Sequence, residues 1–109
     1  MADSRNYANI EFNNVECSNE DILGALESGG ETVERILDIG RIAMSAEMLG
    51  NAESAFETTI EYLKQRKQFG VVIGTFQALQ HRAAEMFCEI ELTKSAVMAA
   101  IHGADENSN

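Results

Sequence analysis

The 109-residue sequence contains no proline and no tryptophan. Without an imino acid to break a helix, long helices are permitted throughout. Aromatic residues make up only 6% of the chain, and cysteine is limited to Cys17 and Cys88, far apart and without CxxC spacing. Two free thiols in a reducing cytoplasm are the simplest expectation. His81 and His102 are not placed to complete a structural zinc site with them, so no metal is expected. Cations are scarce: 8 Lys+Arg stand against 18 Asp+Glu, a net charge of −10. That balance argues against nucleic acid and anionic membrane surfaces as partners, since both need clustered positive charge. No apolar run approaches the roughly 18–20 residues of a membrane span. The opening Met1-Ala2-Asp3-Ser4-Arg5-Asn6 lacks the basic and then apolar pattern of a secretory leader.

What is present fits a soluble globular chain of one domain at most, 45% apolar. A chain this short buries only about 60–70% of its unfolded surface, so its core is thin. Residues 1–20 are rich in Asn and acids, and Ile10-Glu11-Phe12-Asn13-Asn14-Val15 alternates apolar with polar. The alternation predicts a short strand ending at the turn-like Asn13-Asn14, with pairing partners drawn from elsewhere. Ile22 to Leu26 is a short apolar piece, and Ser28-Gly29-Gly30 breaks the pattern.

From Glu31 the period becomes helical. Ile42, Ala46, Leu49, Ala52, Phe56, Ile60 and Leu63 step by three or four and form one apolar stripe. The helix is expected over about Thr32 to Gln68, with Gly70 as its stop. Gly40 and Gly50 are weak points, each costing roughly 1 kcal/mol relative to Ala. A second helix carries Phe76, Leu79, Ala83, Met86, Ile90, Val97 and Ile101. A further stripe runs through Ala84, Phe87 and Cys88, and Thr75 is placed to cap the helix N-terminus. The tail from Gly103 to Asn109 is polar and is expected to fray.

The fold class that follows is mainly α: an antiparallel hairpin of two long helices with a short N-terminal β-strand arm. The arm covers residues 1–30, the hairpin 31–105 and a disordered tail 106–109. Two helices bury only their mutual faces, so Met44, Met48, Phe69, Val71, Val72, Phe87 and Met98 cannot all be inside. The surplus predicts self-association, or cover from a further part of the same fold.

Lys64, Arg66 and Lys67 place three of the eight cations within four positions. They decorate a helix C-terminus, where cations are favoured, or form an anion site with Arg66 as a bidentate phosphate fork. Composition alone does not choose between the two.

The surrounding string bears on that choice. Tyr62-Leu63-Lys64-Gln65-Arg66-Lys67-Gln68-Phe69-Gly70, then Ile73-Gly74-Thr75-Phe76-Gln77, then Gln80-His81-Arg82-Ala83-Ala84-Glu85-Met86 closely resembles the acyl-CoA dehydrogenase family. The match is to the stretch joining the first two helices of that family's C-terminal helical domain. Leu37-Asp38-Ile39-Gly40-Arg41 resembles its Leu-Asp-x-Gly-Arg segment, and Gly50-Asn51-Ala52 its Gly-x-Ala. Phe12-Asn13-Asn14-Val15, followed by Leu23-Gly24, resembles the last strand of its middle β-domain. Several ordered motifs at consistent spacing cover residues 7–105. Val71-Val72 departs from the Lys/Arg-Pro usual in the family at that turn.

The resemblance implies half of a four-helix-bundle-type domain, preceded by the remnant of a β-domain. It implies FAD as cofactor and acyl-CoA as substrate, with a hydride leaving the β-carbon of the thioester while a carboxylate removes the α-proton. By the same resemblance Arg66 reaches the FAD pyrophosphate of a neighbouring subunit in a homo-oligomer, and Gln77 contacts the same cofactor. Gln68 and Phe69 flank that pocket, Phe69 near the adenosine. Asp38, Ile39, Gly40 and Arg41 line the acyl-CoA site. Each has an ordinary alternative: Gln77 as a solvated residue at a helix start, Asp38 as a solvated acid, Arg41 paired with Asp38 or Ser45 on a helix surface. No catalytic residue is assigned. One branch of the family carries its base at the position of Gly40, and the main branch draws it from later helices, so the expectation is a piece of the enzyme, inactive alone. The alternative is a non-catalytic helical assembly module derived from the same family.

Overall fold

A computed structural model describes residues 6–106. Its elements are a 3-10 turn at Asn19–Asp21, helix α1 at Gly29–Gln65, strand β1 at Lys67–Gln68, strand β2 at Val71–Val72, a 3-10 turn at Ile73–Thr75 and helix α2 at Gln77–Glu106. Packing divides the chain into a unit up to Val33 and a unit from Glu34 onward.

In the first unit, short-range backbone bonds join Asp21 to Ser18, Ser28 to Ala25 and Thr32 to Ser28. Residues 6–17 make no strand, and Ile10, Phe12 and Val15 are exposed. The strand expected at Ile10–Val15 is therefore not formed, for a physical reason. A strand needs a ladder partner, and among the described residues none pairs with it. Asn14, at φ 52°, interrupts the extended run at the turn-like pair Asn13-Asn14. Ser18 and Asp21 close the first 3-10 turn: the Ser18 amide and hydroxyl both donate to Asp21 Oδ2, at 2.8 and 2.9 Å. Those bonds, the backbone one foremost, hold the Asp21 carboxyl below its ordinary range. Ser28 receives the Ala25 amide on its hydroxyl at 3.2 Å. Its carbonyl accepts the Thr32 amide at 3.3 Å, which starts α1 at Gly29, three residues ahead of the expected Thr32.

In the second unit α1 and α2 run antiparallel. The apolar stripe is where its spacing places it: Ile42, Ala46, Leu49, Phe56, Ile60 and Leu63 are half-buried, facing Leu79, Ala83, Ile90 and Ile101 of α2. Ala52 stays exposed, and Glu53 takes the half-buried place beside it. Two contacts set the register of the pair. Phe56 and Phe87 have ring centroids 6.3 Å apart, and Lys94 Nζ lies 3.0 Å from Glu53 Oε1. Val97, 7% exposed, is the single buried residue among those described. Met44, Met48, Phe69, Val71, Phe87 and Met98 are exposed, as the surplus predicted, whereas Val72 is half-buried.

Three boundaries differ from expectation. Helix α1 stops at Gln65 rather than Gln68, because Lys67 and Gln68 pair antiparallel with Val72 and Val71. Thr75 does not sit at the cap of α2: its hydroxyl donates to the Val72 carbonyl at 2.7 Å, and Phe76 takes that place. Helix α2 continues through Gly103 to Glu106 instead of fraying at Gly103, since Ala104, Asp105 and Glu106 place no proline in its way. Residues 107–109 of the expected tail, and Met1 to Arg5 of the leader reading, lie outside the described residues.

Candidate functional site

The connection between the helices is built from backbone. The Arg66 amide donates to the Tyr62 carbonyl at 2.9 Å and closes the last turn of α1. The Arg66 carbonyl then accepts the Ile73 amide, also at 2.9 Å, so the main chain of Arg66 is pinned on both sides. Between β1 and β2 only Phe69 and Gly70 remain, at φ 54° and 81°. Two consecutive left-handed residues in a two-residue loop are the signature of a type I′ hairpin turn, which matches strand twist. Glycine adopts that conformation without strain; an aromatic residue does so at a cost of about 1–3 kcal/mol. Phe69 is nonetheless 90% exposed, touching Phe76 edge-on at 6.3 Å between ring centroids. The turn thus holds an aromatic ring out into solvent.

The second 3-10 turn crosses close to the end of α1. A Cβ at Gly74 would stand 2.8 Å from the Leu63 carbonyl oxygen, so only glycine fits there. The Gly74 carbonyl is itself bound by Gln80 Nε2 at 2.9 Å. This packing brings Arg66, Gln68, Phe69 and Gln77 to one end of the hairpin, with Gln77 exposed as the first residue of α2. A helix N-terminus favours negative charge.

The charges at this end are uneven. Lys64 Nζ is 2.8 Å from Glu61 Oε1, and that bond holds the Glu61 carboxyl below its ordinary range. Elsewhere Arg41, Arg82 and Lys94 each have a carboxylate. Among the described residues Arg66 and Lys67 have none. Two adjacent cations without a carboxylate partner, in a chain of net charge −10, precede the exposed ring by two and three residues.

The second group of sequence-derived residues lies elsewhere. Asp38, Ile39, Gly40 and Arg41 form one turn of α1, and Arg41 is roughly 37 Å from Arg66 at ~1.5 Å per helical residue. The structure therefore brings together the turn residues and, separately, the Asp38–Arg41 turn, and keeps the two sets apart. Arg41 Nη1 reaches Asp38 Oδ1 at 2.6 Å and Glu34 Oε2 at 3.4 Å, all well exposed, while the Ser45 hydroxyl donates to the Arg41 carbonyl at 2.8 Å. The surface pairing of Arg41 with Asp38 is thus realised. A Cβ at Gly40 would meet nothing within 4 Å.

Arg41 also stands at the edge of a groove of about 700 Å³ between the helices, floored by Ile42, Leu49, Ala52, Ile90 and Val97. A smaller hollow of about 360 Å³ lies between Arg35, Asp38, Ile39 and Arg41 of α1 and Ala100 and Ala104 of α2. Sequence reasoning missed the small-residue wall of these hollows, Ala96, Ala100 and Ala104, although their four-residue spacing was there to be read. It also missed the close approach at Gly74. Among the described residues no three His, Cys, Asp or Glu side chains group as metal ligands, and no helix is long and apolar enough to cross a membrane.

Comparison with known proteins bears on what this arrangement belongs to. Residues 27–109 match the family model described as the acyl-CoA dehydrogenase C-terminal domain. The chain is 38% identical over 98 residues to a 3-(aryl)acrylate reductase of Clostridium sporogenes, covering 90% of this chain and 26% of that protein. It is 40% identical over 85 residues to the mitochondrial short/branched chain specific acyl-CoA dehydrogenase of Bos taurus, covering 78% of this chain and 20% of that enzyme. It is 36% identical over 102 residues to a probable acyl-CoA dehydrogenase of Bacillus subtilis, covering 94% and 27%. The chain thus spans about a quarter of the length of these relatives. No solved structure matches it. With the family's C-terminal domain matched across both helices and the turn that joins them, the chain belongs to the acyl-CoA dehydrogenase family.

Proposed function

We propose that this chain contributes the cofactor-gripping turn and the first helical hairpin to a flavin-dependent acyl-CoA dehydrogenase, and that it is inactive alone. The observation that carries the reading is the pair of cations without carboxylate partners among the described residues, Arg66 and Lys67, leading into the turn that carries the exposed Phe69. Arg66 presents a planar guanidinium that suits a pyrophosphate, and its pinned backbone limits how far the fork can wander. Phe69 offers a flat apolar face to an adenine ring, at the expense of local strain. Gln77 and Gln68 supply amide donors and acceptors at the same end. These residues fit FAD, which when bound supplies the hydride acceptor.

The acyl-CoA side is assigned to Asp38, Ile39, Gly40 and Arg41, supported by their sharing one turn of α1, with Asp38, Ile39 and Arg41 lining the smaller hollow and Arg41 also the groove. Their separation from Arg66 supports two different subunits' sites being served by one chain, and hence a homo-oligomer. Within this reading residues 1–30 are an arm from the family's middle domain, 31–105 the hairpin and 106–109 a tail. Within the same reading the chain sits in a reducing cytoplasm, where Cys17 and Cys88, both exposed, stay as thiols. The second reading, a non-catalytic assembly module, is favoured by one observation: the large apolar groove left open between the helices.

The purified chain is expected to be colourless and to bind added FAD weakly in equilibrium dialysis, less so as salt rises. Arg66→Gln is expected to weaken that binding at least tenfold, the scale of one lost charge-assisted phosphate contact. Tight stoichiometric flavin on the isolated chain, or binding unchanged in Arg66→Gln, would contradict the proposal.

A further inference from the structure

We draw no further inference here: the strongest candidate, the apolar groove between α1 and α2 floored by Ile42, Leu49, Ala52, Ile90 and Val97, carries nothing because nothing in the structure shows what covers it.

Discussion

Single residues in the connection do work that their neighbours along the helices do not. Gly74 and Gly50 are both glycines, yet only the first is enclosed: an added Cβ would meet the Leu63 carbonyl at 2.8 Å at one, and nothing within 4 Å at the other. Gly74→Ala should therefore destabilise the protein by about 1–3 kcal/mol, through forced backbone displacement. Gly50→Ala should stabilise α1 by up to about 1 kcal/mol, because alanine loses less backbone entropy in a helix. Thermal unfolding followed by circular dichroism checks both, and a fall in Tm for Gly50→Ala alone would invert the account. Phe69 belongs to the same scale. Its positive φ is tolerated because Gly70 shares the turn and the β1–β2 pairs hold both ends.

Among the elements, α1 and α2 were largely legible from sequence and their connection was not. The three-and-four stepping of Ile42, Leu49, Phe56 and Leu63 reports which face turns inward, and those residues are the half-buried ones. A two-residue strand has no period to detect, so Lys67-Gln68 read as the continuing helix. The left-handed pair Phe69-Gly70 is a backbone property, of which only the glycine is visible in the sequence. The Ile10–Val15 alternation is a real β pattern, but alternation states a face and cannot supply a partner. The candidate site was legible through the order of its motifs. What the sequence could not show was which cations keep free heads, since that depends on Glu61 reaching Lys64 and leaving Arg66 and Lys67 unmatched.

The Lys94–Glu53 pair ties the two helices, and Glu53 raises the Lys94 pKa by hydrogen bond and charge. A raised lysine contributes stability that is present below its unfolded value near 10.5 and is lost as pH rises through the raised folded value. Lys94→Met should consequently lower Tm slightly at neutral pH, with the difference from wild type closing in the alkaline range above pH 10.5. A Tm difference that persists unchanged there would show that the stem's packing, rather than its charge, is what matters. Glu61 has the opposite sense. Its lowered pKa gives stability present above 4.5 and lost as pH falls through the lowered value.

At the scale of the molecule, a single buried side chain among the described residues is too little core for a 109-residue chain to stand unassisted. The exposed Met44, Met48, Phe69, Val71, Phe87 and Met98, together with the open groove, are part of a surplus of apolar surface. This chain should therefore self-associate, and light scattering at high protein concentration should give a mass above the 11.9 kDa of one copy. A clean monomer across the concentration range would oppose the homo-oligomer reading. The strong acidity works against such association at low ionic strength, so added salt should favour the larger species.

The central claim is that one end of the hairpin, built around Arg66, meets the nucleotide cofactor, while the Asp38–Arg41 turn serves a different site. Titrating FAD into the isotopically labelled chain and following amide resonances by NMR tests it most directly. Shifts confined to Arg66 through Gln77, and abolished by Arg66→Gln, are the predicted result. Shifts centred on Asp38 to Arg41, or shifts at the turn that survive Arg66→Gln, would contradict it.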